Sequence, residues 1–245
     1  MIQLKLNPKL DLAGYARAFA RNGVVQIPNI LEPQAAEAMA EVLTRGTPWE
    51  LALSTADGRA ESIPGPRLRE MGPQGLRPKV EAVVNQARQG FAFVYLCYPM
   101  IEALIQGRDP GHPLHAMTEF LNSPEFRGLG ASVIGDPGVT KLDAQATWYR
   151  PGDFLTLHDD TGKGERLAAY TLGFTKGWRP DWGGQLLFHD DAGQITRGLT
   201  PGFNVLTLFK VPRQHSVAPV ASYAGAPRLS ITGWLRNDPP ARAAR

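Results

Sequence analysis

Two features of the chain predict an α+β protein that is mainly β, a sandwich or jelly roll in its second half with helices packed around it. From Lys141 onward, short runs rich in Val, Leu, Thr and aromatic residues alternate with Gly, Pro and Asp turns. Before that point apolar residues recur at helical spacing in several stretches. Glycine and proline, 26 and 21 of 245 residues, exceed their usual shares of roughly 7% and 5%, which excludes an all-helical bundle. With 43% hydrophobic and 20% charged residues the chain has enough apolar surface to offset the entropy of ordering, so a disordered chain is excluded as well. The length is read as one domain, 1–245, with residues 1–140 as N-terminal helical support and flap and 141–236 as the β core.

Asp11 is placed to cap a helix running to Arg21, where Leu12, Tyr15, Ala16 and Phe19 share a face and Gly23 is the stop. GVVQIPNIL follows as a short β-branched strand. Pro33 opens a second helix on which Ala36, Met39, Ala40 and Leu43 recur, ended by Gly46. Residues 47–77 show little periodicity and are expected to form a long loop, a flap over a site. Helices are expected over 78–89, 99–106 and 113–121, with FAFVYLCYP as buried wall. The strands after Lys141 are DAQATWYR, DFLTLHD, RLAAYTLGF, GGQLLFHD, FNVLTLFKV, HSVAPV and RLSITGWLR, and the tail DPPARAAR is expected to fray.

Cys97 is the only cysteine, so no intramolecular disulfide and no multi-cysteine zinc site can form; it is read as an inert core thiol in a reducing cytoplasm. The N-terminus lacks a signal-like apolar run, and the longest apolar stretch, 91–101, is interrupted by Pro99, so neither secretion nor a membrane span is expected. Net charge is +3 with a pI near 9.1 and no basic block, which gives no reason to expect a nucleic-acid partner.

Five histidines limit any imidazole-based metal site to a short list. In PGDFLTLHDDTG, strand alternation puts Phe154, Thr156 and His158 on one face with Asp160 pointing the same way. His215, at the start of a late strand, is the candidate third ligand. Two imidazoles and one carboxylate leave three coordination positions open, the arrangement of non-haem Fe(II) oxygenases. His189 and Asp191 form a rival pair, but HDDAGQ reads as a hairpin turn and lies too close in sequence to His215. His112 and His115, beside Pro113 at a helix start, read as surface or capping residues. Arg228 and Ser230 share a strand face, where a guanidinium and a hydroxyl can hold one carboxylate, which suits 2-oxoglutarate.

Together these elements resemble the Fe(II)/2-oxoglutarate-dependent dioxygenases, in their prolyl 4-hydroxylase-like branch. The resemblance rests on TWYRPGDFLTLHDD with Tyr149, His158 and Asp160, on WRPDWGGQLLF, on FNVLTLFKV, on His215 and on RLSITGWL with Arg228. It is close over 141–236 and looser over FARNGVVQIPNIL. The HDD, GG-x-L and RLSI-x-GW elements look most like members that hydroxylate a prolyl residue of a ribosomal or translation protein, and their bacterial relatives. The resemblance implies a double-stranded β-helix with helices outside; His158, Asp160 and His215 as ligands of Fe(II); Arg228 pairing with 2-oxoglutarate; and Tyr149 beside it. Many relatives carry a third-strand tyrosine that helps hold the same carboxylate; Leu172 stands nearest that position here, and Tyr170, on the same face, is the candidate substitute. The implied reaction couples decarboxylation of 2-oxoglutarate, with O2, to hydroxylation of a C–H bond, giving succinate and CO2, with ascorbate as an accessory reductant.

The expected substrate is a prolyl residue of a protein or peptide. A hydroxylase of a free amino acid or other small molecule is the first alternative, and a non-catalytic jelly-roll metal-binding module the second. The terminal strand lacks the close arginine pair of the superfamily's nucleic-acid demethylases, Arg228 and Arg236 being well apart. Gly183 and Gly184 are read as a turn leading into a strand, without chemistry. Trp148, Trp178, Trp182 and Trp234 are read as core or rim packing, the middle two as candidates to line a substrate groove. Arg150, Arg166 and Arg213 are placed near the mouth, either meeting an acidic or peptide substrate or remaining as solvated charge.

Overall fold

Local signals at the start of the chain act as the sequence predicts. Asp11 Oδ1 accepts from the Gly14 N–H at 2.9 Å, and Gly23, left-handed at φ 64°, sends its N–H to Phe19 O, so α1 runs Leu12–Asn22. β1 (Val24–Pro28) and α2 (Pro33–Glu41) follow, with Pro33 in the first turn of α2 and a single π-helical stretch, Val42–Gly46, after it. The computed structural model describes residues 2–55, 57, 59–162 and 164–239. Of the tail expected to fray, residues 240–245 lie outside the described residues, while Asp238 is tied to Lys141 and Arg236 at 2.7 Å each.

The expected flap at 47–77 is corrected. β2 (Glu50–Ser54) and β3 (Ala60–Ile63) form an antiparallel hairpin with Leu51 opposite Ile63, and α3 (Gly65–Ala87) begins directly after it. β2 is buried along its whole length, so it offers no alternation for a pattern argument to find. Gly72 at φ 60°, ψ 179° kinks α3, and Pro73 follows it into the second helical part; the residues that read as breakers form a kink inside the helix instead. The helix expected at 78–89 is that second part, ending at Ala87.

β4 (Phe93–Tyr98) is buried throughout, as expected of a wall. α4 (Met100–Ile105), α5 (Pro113–Leu121) and α6 (Pro124–Ile134) come next. α6 goes unpredicted although its signals are present: Ser123 Oγ accepts from Phe126 N at 3.2 Å and Gly135 ends the helix in the left-handed region. His112 caps α5 by accepting from Leu114 N, the role its sequence position suggests.

The remaining strands are β5 (Lys141–Leu142), β6 (Gln145–Tyr149), β7 (Phe154–His158), β8 (Arg166–Phe174), β9 (Leu186–His189), β10 (Ile195–Leu199), β11 (Phe203–Lys210), β12 (His215–Val217) and β13 (Arg228–Arg236). β6, β13, β8 and β11 pair antiparallel in that order with β1 beyond β11, and β7, β12, β9 and β10 pair antiparallel in that order. The chain passes between these two sheets in the manner of a jelly roll, and β4, paired with both β6 and β7, closes one side. Residues 1–140, read from sequence as helical, thus also contribute β1 to β4 to the same curled sheet.

On β8 the alternation is decisive. Tyr170, Leu172 and Phe174 face outward and pack with Leu206 and Leu208 of β11, Ile231 of β13, Phe19 of α1, Met39 of α2 and Phe126 of α6. Side chains of this size contribute roughly 1.5–3 kcal/mol each when fully buried. Ala169 faces inward with Phe188 and Phe209. Among the described residues no helix is long and apolar enough to cross a membrane.

Candidate metal centre

His158 and His215 are direct partners across the antiparallel pairing of β7 and β12, their ring centroids 4.1 Å apart. Simple alternation along β7 does not put them there. A register shift separates the His215–His158 pair from the Val217–Leu155 pair, so Leu155 lines the interior cavity, whereas Phe154 packs with Leu51 and Val94, and Thr156 Oγ1 accepts from Ala92 N. The expected common face of Phe154, Thr156 and His158 is therefore corrected. Nor does Asp160 continue the strand: β7 ends at His158, and Asp160 turns back through a left-handed conformation at φ 60°.

The result is a cluster in which one ligand atom from each of His158, Asp160 and His215 lies within 4.8 Å of the others, the only such group among the described residues. His158 Nδ1 is 2.9 Å from Thr156 O and His215 Nδ1 is 2.7 Å from Arg213 O. A carbonyl only accepts, so both Nδ1 atoms carry a proton, and in the neutral imidazole that leaves Nε2 as the nitrogen with the lone pair. Those Nε2 atoms stand 3.6 Å from Asp160 Oδ1 and 3.4 Å from Oδ2. Two imidazole lone pairs converging on a carboxylate is an arrangement a cation relieves, and the donor set fits a divalent transition metal. Burial, then the charge of His215, pushes His158 below its usual pKa, which keeps it neutral and able to ligate at neutral pH. Burial raises the Asp160 carboxyl, but His215 and His158 outweigh it and hold it below the carboxylate norm.

The cluster opens into a cavity of about 290 Å³ walled by Phe93, Tyr95, Tyr149, Arg166, Trp234 and Arg228 among others. Arg228 is 5% exposed and has no carboxylate within ion-pair distance among the described residues. Its Nε donates to Gly184 O at 2.6 Å and its guanidinium lies 4.5 Å from the centre of the Tyr149 ring. Burial lowers its pKa without the compensation of a carboxylate. A buried, unpaired guanidinium is costly, and an anionic ligand in the cavity is the natural counter-charge.

Three sequence readings change here. Gly184 has a role: at φ 67° its carbonyl meets Arg228, and a Cβ there would sit 2.9 Å from Arg228 Cδ. Tyr170 touches the cavity, but its hydroxyl donates to Asp143 O at 2.8 Å on the outward side of β8, as Leu172 also faces, so neither offers a donor to a ligand. Ser230 is buried with its hydroxyl 2.7 Å from that of Thr147, and it does not line the 290 Å³ cavity. Tyr149 does line it, stacked at 4.8 Å on Tyr95. Sequence reasoning also missed Tyr95, Gln145 and Thr171, which line the cavity from β4, β6 and β8; their only signal is inward position on strands whose register had to be known. Gln145 Nε2 donates to the Tyr95 hydroxyl at 3.3 Å. His189 pairs with Ser216 Oγ and stays apart from the cluster, in the hairpin expected of it. Arg150 clamps Asp153 through two nitrogens and Arg213 donates to Asn22 O, so of the three mouth arginines only Arg166 lines the cavity. Trp178 donates to Gly183 O and packs edge-on to Trp182.

A sequence model of the 2OG-Fe(II) oxygenase superfamily matches residues 144–236. Over that stretch the β core is similar to that superfamily. The matched segment contains all three ligand candidates and Arg228. Two curated relatives are similar to this chain: a mouse protein named prolyl 3-hydroxylase OGFOD1, 33% identical over 118 residues, and the Drosophila melanogaster prolyl 3-hydroxylase sudestada1, 33% identical over 113. The matched stretches cover 45% and 40% of this chain and 21% of the length of each relative. Among solved structures, a Pseudomonas putida prolyl-4-hydroxylase aligns over 93% of this chain and 99% of its own at TM-score 0.57 and 21% identity. A Burkholderia pseudomallei protein of the 2OG-Fe(II) oxygenase family aligns over 98% and 97% at TM-score 0.60 and 12% identity. A Trichoplax adhaerens prolyl hydroxylase, solved with a hypoxia inducible factor peptide, aligns over 92% and 89% at 0.56 and 17%. These likenesses show that nearly all of the chain shares the jelly-roll fold of those structures.

Proposed function

We propose that this protein hydroxylates a prolyl residue of a protein or peptide, using Fe(II), 2-oxoglutarate and O2, with residues 141–236 as the catalytic unit and 1–140 as its support. The observation that carries the reading is the His158–Asp160–His215 cluster opening into the same cavity as a buried arginine that lacks a counter-charge. Bound iron and 2-oxoglutarate supply the oxidising power, the co-substrate becoming succinate and CO2 as a C–H bond becomes C–OH. The chain's part is to bind and orient. His158 and His215 ligate through Nε2 and Asp160 through its carboxylate. Arg228, held by Gly184 O and the Tyr149 face, pairs with a 2-oxoglutarate carboxylate. Phe91, exposed and 5.4 Å from the His158 ring, offers a flat apolar surface suited to a pyrrolidine ring. The prolyl class draws its support from the names of the two curated relatives. A reducing cytoplasm fits Cys97, a buried thiol whose pKa burial, and then Glu50, push up to about 12; ascorbate as reductant rests on family resemblance alone.

Anaerobic addition of Fe(II) and then 2-oxoglutarate is expected to produce a visible charge-transfer band that His158→Ala lacks. Succinate release is then measured with peptides carrying a central proline, with free L-proline and with neither, and the product is assayed for 3- and 4-hydroxyproline. Release that rises only with peptide supports the reading. Release with free proline alone replaces it by a small-molecule hydroxylase, and metal binding with no band and no release leaves a non-catalytic module.

Two variants probe the pocket. Gly184→Ala drives a Cβ into Arg228 and toward Trp178, 3.2 Å away, and is expected to raise the 2-oxoglutarate KM about tenfold or more while Mn(II) affinity is unchanged. Tyr170→Phe loses only a hydrogen bond to main chain, so the 2-oxoglutarate KM is expected to stay within about twofold of wild type while urea unfolding shows a loss of about 1 kcal/mol.

A further inference from the structure

Trp234, on β13 six residues after Arg228, lines the same cavity as Asp160. Its indole Nε1 is buried and has no hydrogen-bond partner. A buried indole N–H without an acceptor is costly and needs an explanation. The ring is held in place by Arg166, whose guanidinium lies 3.8 Å over it, while Arg166 Nη1 donates to the Asp160 main-chain oxygen at 3.2 Å. Trp234, Arg166 and Asp160 are therefore one packed unit.

The two oxygens of Asp160 each face one of the two imidazoles. A carboxylate that ligates through one oxygen turns the other away, and that second oxygen then needs a donor. Arg166 Nη1, at 3.9 Å from Oδ1, is already engaged with the main chain.

We propose that Trp234 is a positioning residue for the carboxylate ligand: its Nε1–H donates to the Asp160 oxygen that does not meet the ion, committing the other oxygen to the metal. The inference rests on the metal-site reading above. It makes the tryptophan of the RLSITGWL element a support of the carboxylate ligand, where the sequence reading made it packing.

The test uses Mn(II) alone, titrated calorimetrically into the full chain without 2-oxoglutarate. Trp234→Phe keeps an aromatic face for Arg166 and removes the donor together with part of the ring's packing area. It is expected to bind Mn(II) about 10- to 100-fold more weakly, the range for loss of a partner of a metal ligand, while remaining folded in the absence of metal. Wild-type affinity in Trp234→Phe overturns the proposal. A second measurement needs no change at Trp234: in the 15N spectrum of the wild-type indoles, assigned by phenylalanine variants at the other four tryptophans, Zn(II) is expected to move the Trp234 N–H signal downfield and slow its exchange. An unmoved signal counts against the hydrogen bond. Wild-type protein that binds neither ion removes the metal-site reading itself, a result distinct from either failure of Trp234.

Discussion

Arg228→Ala is expected to raise the 2-oxoglutarate KM by about 10²-fold or more and to leave Mn(II) affinity within about twofold of wild type. The size follows from what surrounds the guanidinium. It is 5% exposed, meets one carbonyl and one ring face, and no carboxylate among the described residues balances it. An incoming carboxylate would complete a buried ion pair, and removing one partner of such a pair costs on the order of 3–5 kcal/mol, which is about two to three and a half decades of affinity. The same imbalance predicts an asymmetry in stability. The wild-type chain should gain several degrees in unfolding midpoint when Mn(II) and 2-oxoglutarate are added together, and the variant should gain only what Mn(II) alone provides. A KM within threefold of wild type would show that the anion is held elsewhere. Arg228→Lys is a further discriminator: it keeps the charge but loses the planar fork and the stacking on Tyr149, so its KM should fall between the two.

The candidate ligands His158 and His215, and Arg228, were legible in the sequence because each sits in a short strand-like run bounded by turns, and Asp160 because it follows His158 by two residues. The route to the triad was only partly right. Alternation along β7 assigned His158 its face together with Phe154 and Thr156, yet a register shift separates them, and Asp160 reaches the site through a left-handed turn no periodicity argument contains. The side of the cavity around Arg228 was less legible for a related reason. Tyr170 and Leu172 share a face, as read, but which face of β8 meets the helices depends on its pairing with β11 and β13, a property of distant strands. Ser230 and Thr147 show the same limit: each hydroxyl looks free in sequence, and their pairing exists only because β6 and β13 are neighbours. The hairpin β2–β3 and the kinked α3 were hidden by a fully buried short strand and by glycine and proline that read as loop.

Asp160→Asn is expected to fold like the wild type and to lose Mn(II) binding by at least about 10²-fold, because losing a direct ligand must cost more than losing one of its partners. The choice of asparagine matters. Asp160 sits at φ 60°, a conformation in which asparagine and aspartate are tolerated and most other side chains are strained by roughly 1–2 kcal/mol. Asp160→Ala therefore combines two effects, a lost ligand and a strained turn, and its urea unfolding should show an additional deficit of about that size. Asp160→Gly separates them again: glycine adopts the conformation without strain and cannot ligate, so stability should recover while Mn(II) affinity does not. The three variants together identify what the carboxylate does. If all three bind Mn(II) equally poorly and only alanine unfolds early, Asp160 is a ligand on a turn built to present it. If asparagine binds Mn(II) as tightly as the wild type, the carboxylate is not a ligand, and the pair of imidazoles 4.1 Å apart must be explained without it.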